Sequence, residues 1–388
     1  MSKVKIIGLG ISSMHRTDQS IEDMIYQVCI EATKDAGIEL DEIGHIFVSN
    51  MMNGSLSDQE SIRGQTFLRG LKFGDTSIFN CESGCASGGA AFALGVMASK
   101  LDERAVLVLG FEKMCGFDSK LVRDTISQGL PFDQRNQLRL ELDKTDTNAS
   151  ITMQINALWA KRQMEEKGLT LDQFAATAAK ARRCAARTDY ARHRELVTID
   201  QVLASRIVSE PLTRLMCSSY TDGAVAIIIS SSKKYEGPEV IGSKVVGGFG
   251  DQEAHTHLAA AANSFWEETS VSPNEIDLAE IHDATSPEEL WNIEALGLVR
   301  EGSAGHLTMT GETDLGGNAV YVNPSGGLVG RGHPIGATGL AQIAEISLHL
   351  SGKAIGRQRE RSRVALASNL GGLINEDVAT FVFHLLKA

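Results

Sequence analysis

The chain repeats itself. FNCESGCASGGAAFALGVMASKL (79–101) is matched by VNPSGGLVGRGHPIGATGLAQIAEISLHL (322–350). Each reads as a strand ending in Asn, a Gly/Ser-rich turn, and a helix that opens with small residues. Upstream of each, an acidic turn runs into a short apolar strand, GIELDEIGHIFVSN (37–50) and SPNEIDLAEIHDAT (272–285). Downstream of each comes another strand, AVLVLG (105–110) and RVALASNL (363–370). Such long-range self-similarity implies one unit used twice. It places two chemically loaded turns at the C-terminal ends of equivalent strands, where open α/β sheets carry their sites.

The remaining pattern agrees with an α/β protein whose sheets are buried. Short β-branched runs alternate with longer amphipathic or small-residue stretches. Strands are expected at 4–10, 45–50, 105–110, 224–230 and 363–370, and helices at 20–36, 86–100, 148–166, 172–187, 288–296 and 337–351. The stretch from about 117 to 215 is rich in Arg, Lys, Gln and Asp and reads as irregular loop followed by helices, an insertion. A length of 388 residues calls for two or three packing units.

Charge and composition exclude several functions. A net charge of −12 argues against nucleic acid as partner, because phosphate binding needs a basic face. No apolar stretch approaches the ~18 residues that span a bilayer, and MSKVKIIGLGISS is too β-branched and Gly-broken for a secretory signal. Six scattered cysteines (29, 81, 85, 115, 184, 217) are no disulfide framework and point to a reducing cytoplasm. Residues 180–194, KARRCAARTDYARHR, carry six Lys/Arg against one Asp. On charge alone this is a solvated helix face or a cradle for an anionic ligand. Gly8-Leu9-Gly10 suggests a dinucleotide turn, but position 13 is Ser and no acidic residue suitably ends the next strand, so that reading is rejected.

The candidate chemistry sits in the two turns. Cys85 directly precedes Ala86-Ser87-Gly88-Gly89, expected to be the first turns of a helix. Unpaired N–H groups and the positive end of the helix dipole favour thiolate there. Two glycines inside that helix cost roughly 1 kcal/mol each against Ala, which fits a close approach of backbone or substrate. A cysteine so placed is often an inert buried side chain; as a nucleophile it needs a base and a place for oxyanion charge. Of ten histidines, His282 in EIHDATSPEE lies at an expected strand end, and His333 in GRGHPIGATG lies in a glycine-rich turn. A lone histidine is usually structural. Two at equivalent ends of a duplicated scaffold, facing the Cys turn, form a catalytic constellation.

This combination resembles the thiolase superfamily, in its sterol-carrier-protein-2 branch. The matching segments are GCASGGAA around Cys85, the HDAT segment at His282, NPSGGLVGRGHPIGATGLAQ (323–342) and SNLGG (368–372). WAKRQMEEKGLTLDQFA (159–175), SRIVSEPLTRLMCSSYTDGAVAIIIS (205–230) and WNIEALGL (291–298) extend the likeness over nearly the whole chain. The resemblance implies an α/β thiolase fold, two pseudo-symmetric halves in αβαβα layers with an inserted loop domain. Residues 1–116 and 217–235 would form the N-terminal half, 117–216 the loop domain and 236–388 the C-terminal half. It also implies a homodimer acting on acyl-CoA and CoA, with coenzyme A as substrate, no permanently bound cofactor and no metal. Cys85 would take the acyl group, His333 would deprotonate it and donate to a thioester oxygen, and His282 would complete that oxyanion hole. The backbone N–H of Cys85 with that of Gly371 or Gly372 would form a second hole. Arg182, Arg183 and Arg187 would lie where the family holds the CoA nucleotide.

One part of the family pattern is missing. The second cysteine, which moves the proton on the α-carbon or the incoming thiol, would stand at Asn369 or at Ala284. Three readings follow. A histidine, His282 or His333, does both jobs; or the chain is a condensing or cleaving subunit for an unusual β-keto thioester, working with a small zinc-containing OB-fold partner; or it is a retro-aldol lyase or non-catalytic scaffold subunit. Retention of Cys85 argues against the last.

Overall fold

The computed structural model describes residues 3–142, 149–360 and 362–388. Residues 1–2, 143–148 and 361, which fall within the expected units, lie outside the described residues, and with them the expected first residue of the helix at 148–166.

Ten strands form one sheet. In the first half these are β1 (Val4–Ile11), β2 (Ile43–Ser49), β3 (Ser77–Cys81), β4 (Ala105–Glu112) and β5 (Gly223–Ser230). In the second they are β6 (Glu239–Gly247), β7 (Leu278–Ile281), β8 (Tyr321–Val322), β9 (Val364–Ile374) and β10 (Asp377–Lys387). The order across the sheet is β8-β7-β9-β10-β6-β1-β5-β4-β2-β3. Counted from its own first strand, each half therefore reads 3-2-4-5-1. The directions repeat as well. β2 is parallel to β3 and β4 as β7 is to β8 and β9, while the pairs β4/β5, β5/β1, β9/β10 and β10/β6 are antiparallel. The two halves meet where β1 pairs antiparallel with β6, Val4 opposite Val240 and Lys5 opposite Glu239. The duplication read from the sequence is thus present in topology, strand for strand.

Helices supply the other layers. α1 (Ile21–Ala36) lies on β1 and β5, α2 (Ser87–Ser99) on strands of both halves, and α3 (Ile151–Lys167) and α4 (Leu171–Ala186) come from the segment between β4 and β5. In the second half, α5 (Ala254–Thr269) covers β6 and β10, α6 (Ser286–Ala295) follows β7, and α7 (Ile335–Leu350) packs on α2. α1 and α5 are the outer layers; α2 and α7 are the middle one. In the middle layer Leu94 and Met97 of α2 are exposed, whereas every residue of α7 but Leu348 is buried. β4 and β5 are likewise buried at every position, which is why AVLVLG and AVAIIIS read as continuous apolar runs.

The middle layer explains the glycines. A Cβ on Gly339 of α7 would stand 2.4 Å from the backbone nitrogen of Gly89 in α2. The expected close approach is helix against helix. Gly10, the second glycine of the rejected dinucleotide turn, plays a related part: its Cβ would lie 2.0 Å from the carbonyl of Val28 in α1. Although α4 is inserted into the first half, it packs on α6 and on the Gly327–Arg331 helix of the second. It thereby carries the intervening segment across to the second turn.

The helix ends are set by local chemistry: Ser20 and Asp23 form a capping box at the start of α1, and Gly37 ends it in the left-handed conformation. β6, β10, α5 and the helix Phe132–Leu142 were not among the sequence expectations. VIGSKVVG in β6 is interrupted by Gly, Ser and Lys, and most of its positions are only half-buried, so no period-2 or buried-run signal stands out. Among the described residues, no helix is long and apolar enough to cross a membrane.

Candidate active site

Cys85 stands in the turn between β3 and α2. Gly84 adopts a positive φ of 58°, and the first helical residue is Ser87, so the thiol precedes the helix by two positions rather than opening it. Ser87 ties the turn: its hydroxyl accepts from the N–H of Ser83 (2.9 Å) and donates to the carbonyl of Gly84 (2.6 Å). The opposite wall is the backbone of β9. A Cβ on Gly371 would stand 2.1 Å from the carbonyl oxygen of Ser83 and 2.5 Å from the nitrogen of Ala86. This backbone-on-backbone contact sets Gly371 and Gly372 against the Cys85 turn.

The thiol itself departs from expectation. Burial, followed by the charges of Glu288, Glu112 and Glu82, pushes its pKa up to about 12, and the Cys85 backbone N–H lowers it only in part. The helix N-terminus was expected to favour thiolate; an apolar cavity two residues away from it favours the neutral thiol instead. Deprotonation must therefore come from a group in contact.

Two imidazoles are there. Cys85 Sγ and one nitrogen of each of His282 and His333 lie within 4.8 Å of one another, and the two rings meet edge to face with centroids 5.6 Å apart. Their tautomers differ. His333 Nδ1 sits 2.7 Å from Thr338 Oγ1, whose single proton goes to the carbonyl of Pro334 (3.0 Å). Thr338 must then accept, so Nδ1 carries the ring proton and Nε2 keeps a free lone pair. His282 Nδ1 instead faces the amide nitrogen of Asn369 at 3.1 Å. Asn369 donates, so His282 carries its proton on Nε2. One ring can accept a proton and the other can donate a hydrogen bond. Both are neutral: burial drives His282 down to about 3, and burial, His282 and Arg331 hold His333 well below its ordinary value.

The same three donors have the composition of a metal site. A metal would need a lone pair on each ring nitrogen it binds, and His282 Nε2 holds a proton. The set suits proton transfer.

The two motifs lock each other. Asp283, next to His282, accepts from the N–H of Leu328 (2.7 Å) and of Val329 (3.5 Å), fixing the helix that ends before His333. Ser325, Glu280 and Arg331 form a wholly buried network behind it: Arg331 donates to Glu280 and to Ser325, each at 2.9 Å. The backbone N–H of His333 donates to the carbonyl of Ser219 (3.0 Å) at the end of the intervening segment.

Above the thiol is a cavity with about 780 Å³ of unfilled space, counting the part open to solvent. Met51, Ile126, Met153, Trp159, Tyr220, Ala284 and Leu370 make it apolar, with Asn156, Ser218 and Glu288 at its polar points. Ala284 lines it and Asn369 is bound to His282, so neither place expected for a second cysteine offers a titratable atom. Asn369, Thr338 and Glu288 were missed as site residues. Thr338 lies within the quoted GHPIGATG motif, five residues after His333; nothing in the sequence pairs Asn369 with a histidine 87 positions away.

The expected CoA-binding arginines lie away from this cavity. Arg183 and Arg187 both face Asp314, at 3.0 and 3.6 Å. Arg182 is buried, its Nε has no hydrogen-bond partner among the described residues, and burial with the charges of Arg214 and Arg192 lowers its pKa to about 10. The arginines beside the site are Arg123, Arg206 and Arg214, which line a second cavity sharing Met153, Ser218 and Tyr220 with the first.

Residues 6–233 match the family model described as thiolase, N-terminal domain, and residues 250–384 match that described as thiolase C-terminal domain-like. The chain is 32% identical to an acetyl-CoA acetyltransferase of Methanothermobacter thermautotrophicus, covering 96% of this chain and 97% of that protein. It is 30% identical to sterol carrier protein 2 of Oryctolagus cuniculus (96% of this chain, 70% of that one). It is also 30% identical to the benzoylsuccinyl-CoA thiolase subunit BbsB of Thauera aromatica (95% of each). Among solved structures, the Ltp2-ChsH2(DUF35) aldolase superposes with a TM-score of 0.77 at 20% identity, covering 100% of this chain and 98% of that one. An acetyl-CoA acetyltransferase from Syntrophomonas wolfei superposes with a TM-score of 0.68 at 17% identity (100% and 99%).

Proposed function

The chain belongs to the thiolase family of acyltransferases acting on CoA thioesters, and from that premise we propose that it makes or breaks the Cα–Cβ bond of a β-ketoacyl-CoA through an acyl group carried on Cys85. The observation that carries the reading is the pair of opposite tautomers within reach of one thiol. His333 Nε2 takes the Cys85 proton as the sulfur attacks the β-keto carbon. His282 Nε2–H donates to the thioester oxygen on which enolate charge develops, and the imidazolium of His333 can donate there too. The N–H groups of Cys85 and of Gly371 or Gly372 face the carbonyl oxygen of the acyl-enzyme. Preorganised donors of this kind, in a largely apolar cavity, are the largest usual source of rate.

The finer assignments follow the same reading. Residues 1–116 with 217–235, 117–216 and 236–388 act as N-terminal half, loop domain and C-terminal half. CoA phosphates lie at the arginine-lined cavity, with Arg123, Arg206 and Arg214 beside it and the charge of Arg182 behind; Arg183 and Arg187 act at the outer edge with Asp314. The protein works as a homodimer in the cytoplasm, where six free cysteines are compatible with reducing conditions. A small OB-fold zinc-ribbon protein is its partner. The word "subunit" in the name of the Thauera relative, and the two-component title of the aldolase, support that expectation.

The test is chemical. Purified protein is given acetyl-CoA, alone and with any genomic neighbour of OB-fold type, and Cys85 is examined by mass spectrometry. An acetyl adduct on Cys85 is expected; its absence under every condition refutes acyl transfer. His333→Ala should slow alkylation of Cys85 by iodoacetamide near neutral pH, and an unchanged rate removes His333 as its base.

A further inference from the structure

We propose that Glu288 is the acid and base that moves the proton on the substrate α-carbon, the task for which Ala284 and Asn369 have no titratable atom. This rests on the acyl-Cys85 reading above and supplies its missing part.

Glu288 is the third residue of α6, on the turn that begins at Ala284, and its side chain lines the cavity together with Cys85, His282 and His333. It is 4% exposed. The backbone N–H groups of Ala284 and Thr285, at the helix start, favour the charged form of its carboxyl. Its Oε2, however, is buried without any hydrogen-bond partner among the described residues. An unpaired buried carboxyl oxygen is expensive and calls for an explanation. Here the oxygen belongs to a group on the wall of the reaction cavity.

Two other buried glutamates nearby make the contrast. Glu112 accepts from Asn50 and from the N–H groups of Met51, Met52 and Gly336, and it does not line the cavity. Glu289, next in the chain, is committed to Lys180 and Asn323. Glu288 alone of the three has an oxygen free and a place on the cavity wall. Burial also raises its pKa to about 8, so near neutral pH it can give a proton and take one back, the condition for an efficient general acid and base.

The proton cycle closes. Cys85 sulfur attacks the β-keto carbon and its proton passes to His333. Collapse of the alkoxide breaks the Cα–Cβ bond and leaves the electron pair on the α-carbon as a thioester enolate. The Glu288 carboxylic acid protonates that carbon, releasing the shortened thioester. The resulting carboxylate takes the proton of the incoming CoA thiol as its sulfur attacks the acyl-enzyme. The bond from the acyl carbon to Cys85 sulfur breaks, and His333 returns the first proton to the leaving thiolate. In the condensing direction Glu288 carboxylate removes the α-proton.

The experiment uses Glu288→Gln, Glu288→Asp and the wild type, each incubated with acetyl-CoA in D2O. Two quantities are read from each sample: the acetyl adduct on Cys85 and deuterium in the acetyl methyl of acetyl-CoA. Gln keeps an oxygen for the Ala284 and Thr285 N–H groups. Glu288→Gln should therefore keep the pocket, so that methyl exchange falls by on the order of 10²-fold or more while acetylation of Cys85, in which Glu288 only hands a proton to the departing CoA thiolate, falls by at least about tenfold less; Glu288→Asp should retain part of the exchange. Exchange within about threefold of wild type in Glu288→Gln overturns the proposal. So does equal loss of both readouts in Glu288→Gln with equal recovery of both in Glu288→Asp, which would make Glu288 a builder of the pocket. A wild type that exchanges the methyl but never forms the adduct breaks the acyl-Cys85 reading, while loss of that exchange in Glu288→Gln still assigns the proton to Glu288.

Discussion

The Cys85 turn and the His333 turn occupy the same position in the two halves, each after the third strand and before the middle-layer helix, yet they are built differently. From Tyr321 to Ser347 every residue of the second is buried. Its side chains form a network: Asn323 donates to Glu289 (3.0 Å) and accepts from the N–H of Ile281 (2.8 Å), while Ser325, Glu280 and Arg331 bind one another. The first turn is partly exposed from Ile78 to Ser83 and is held chiefly by Ser87 and the backbone of β9. The difference fits the roles proposed for the two turns. A base is useful only in one tautomer and one orientation, so its turn is over-determined. A nucleophile must meet an incoming substrate and change partners, so its turn stays at the edge of the cavity.

Three measurements sharpen or break this contrast. The largest effect concerns the thiol. A pKa raised to about 12 means the neutral form dominates at any lower pH, and the thiolate fraction grows tenfold for each unit gained. Iodoacetamide alkylation of Cys85 in His333→Ala, where no base assists, should accordingly rise about 10²-fold between pH 8 and pH 10 without levelling. A plateau reached by pH 8 would show the helix N-terminus, not burial, in control.

Next is the tautomer. Thr338→Val keeps the shape and removes the acceptor that holds the proton on His333 Nδ1. The kcat for thiolysis of acetoacetyl-CoA should fall by roughly tenfold to a hundredfold, with the Cys85 alkylation rate at neutral pH falling alongside. If kcat is unchanged, the Nδ1 bond does not set the base.

The smallest effects are on stability, and they compare the turns directly. Ser325→Ala strips a wholly buried network of a group that both donates and accepts, costing about 1–3 kcal/mol. Ser87→Ala removes two local bonds at the partly exposed turn and should cost nearer 1 kcal/mol. Denaturant midpoints that rank the two in the opposite order would remove the claim that the second turn is the more rigid.

Much of this was legible in advance. The duplication, the buried runs of β4 and β5, and the placement of Cys85, His282 and His333 all rest on local patterns, and local patterns survive in a linear text. β6 escaped because Gly, Ser and Lys interrupt it and its strand character comes from pairing with β1 and β10. The basic run at 180–194 drew attention by its density, but Asp314, some 130 residues on, engages Arg183 and Arg187, whereas Arg123, Arg206 and Arg214 converge beside the site from separate segments.

The sequence by itself determined the scaffold, its twofold repetition and the cysteine and two histidines of the proposed site, because each is written in contiguous residues. Tertiary structure alone decided the protonation of those groups. Asn369 chooses the tautomer of His282, an apolar cavity overrides the helix end at Cys85, and Glu288 is left with an unshared oxygen. Proton positions depend on burial and on partners brought from distant parts of the chain, and neither exists until the halves have packed together.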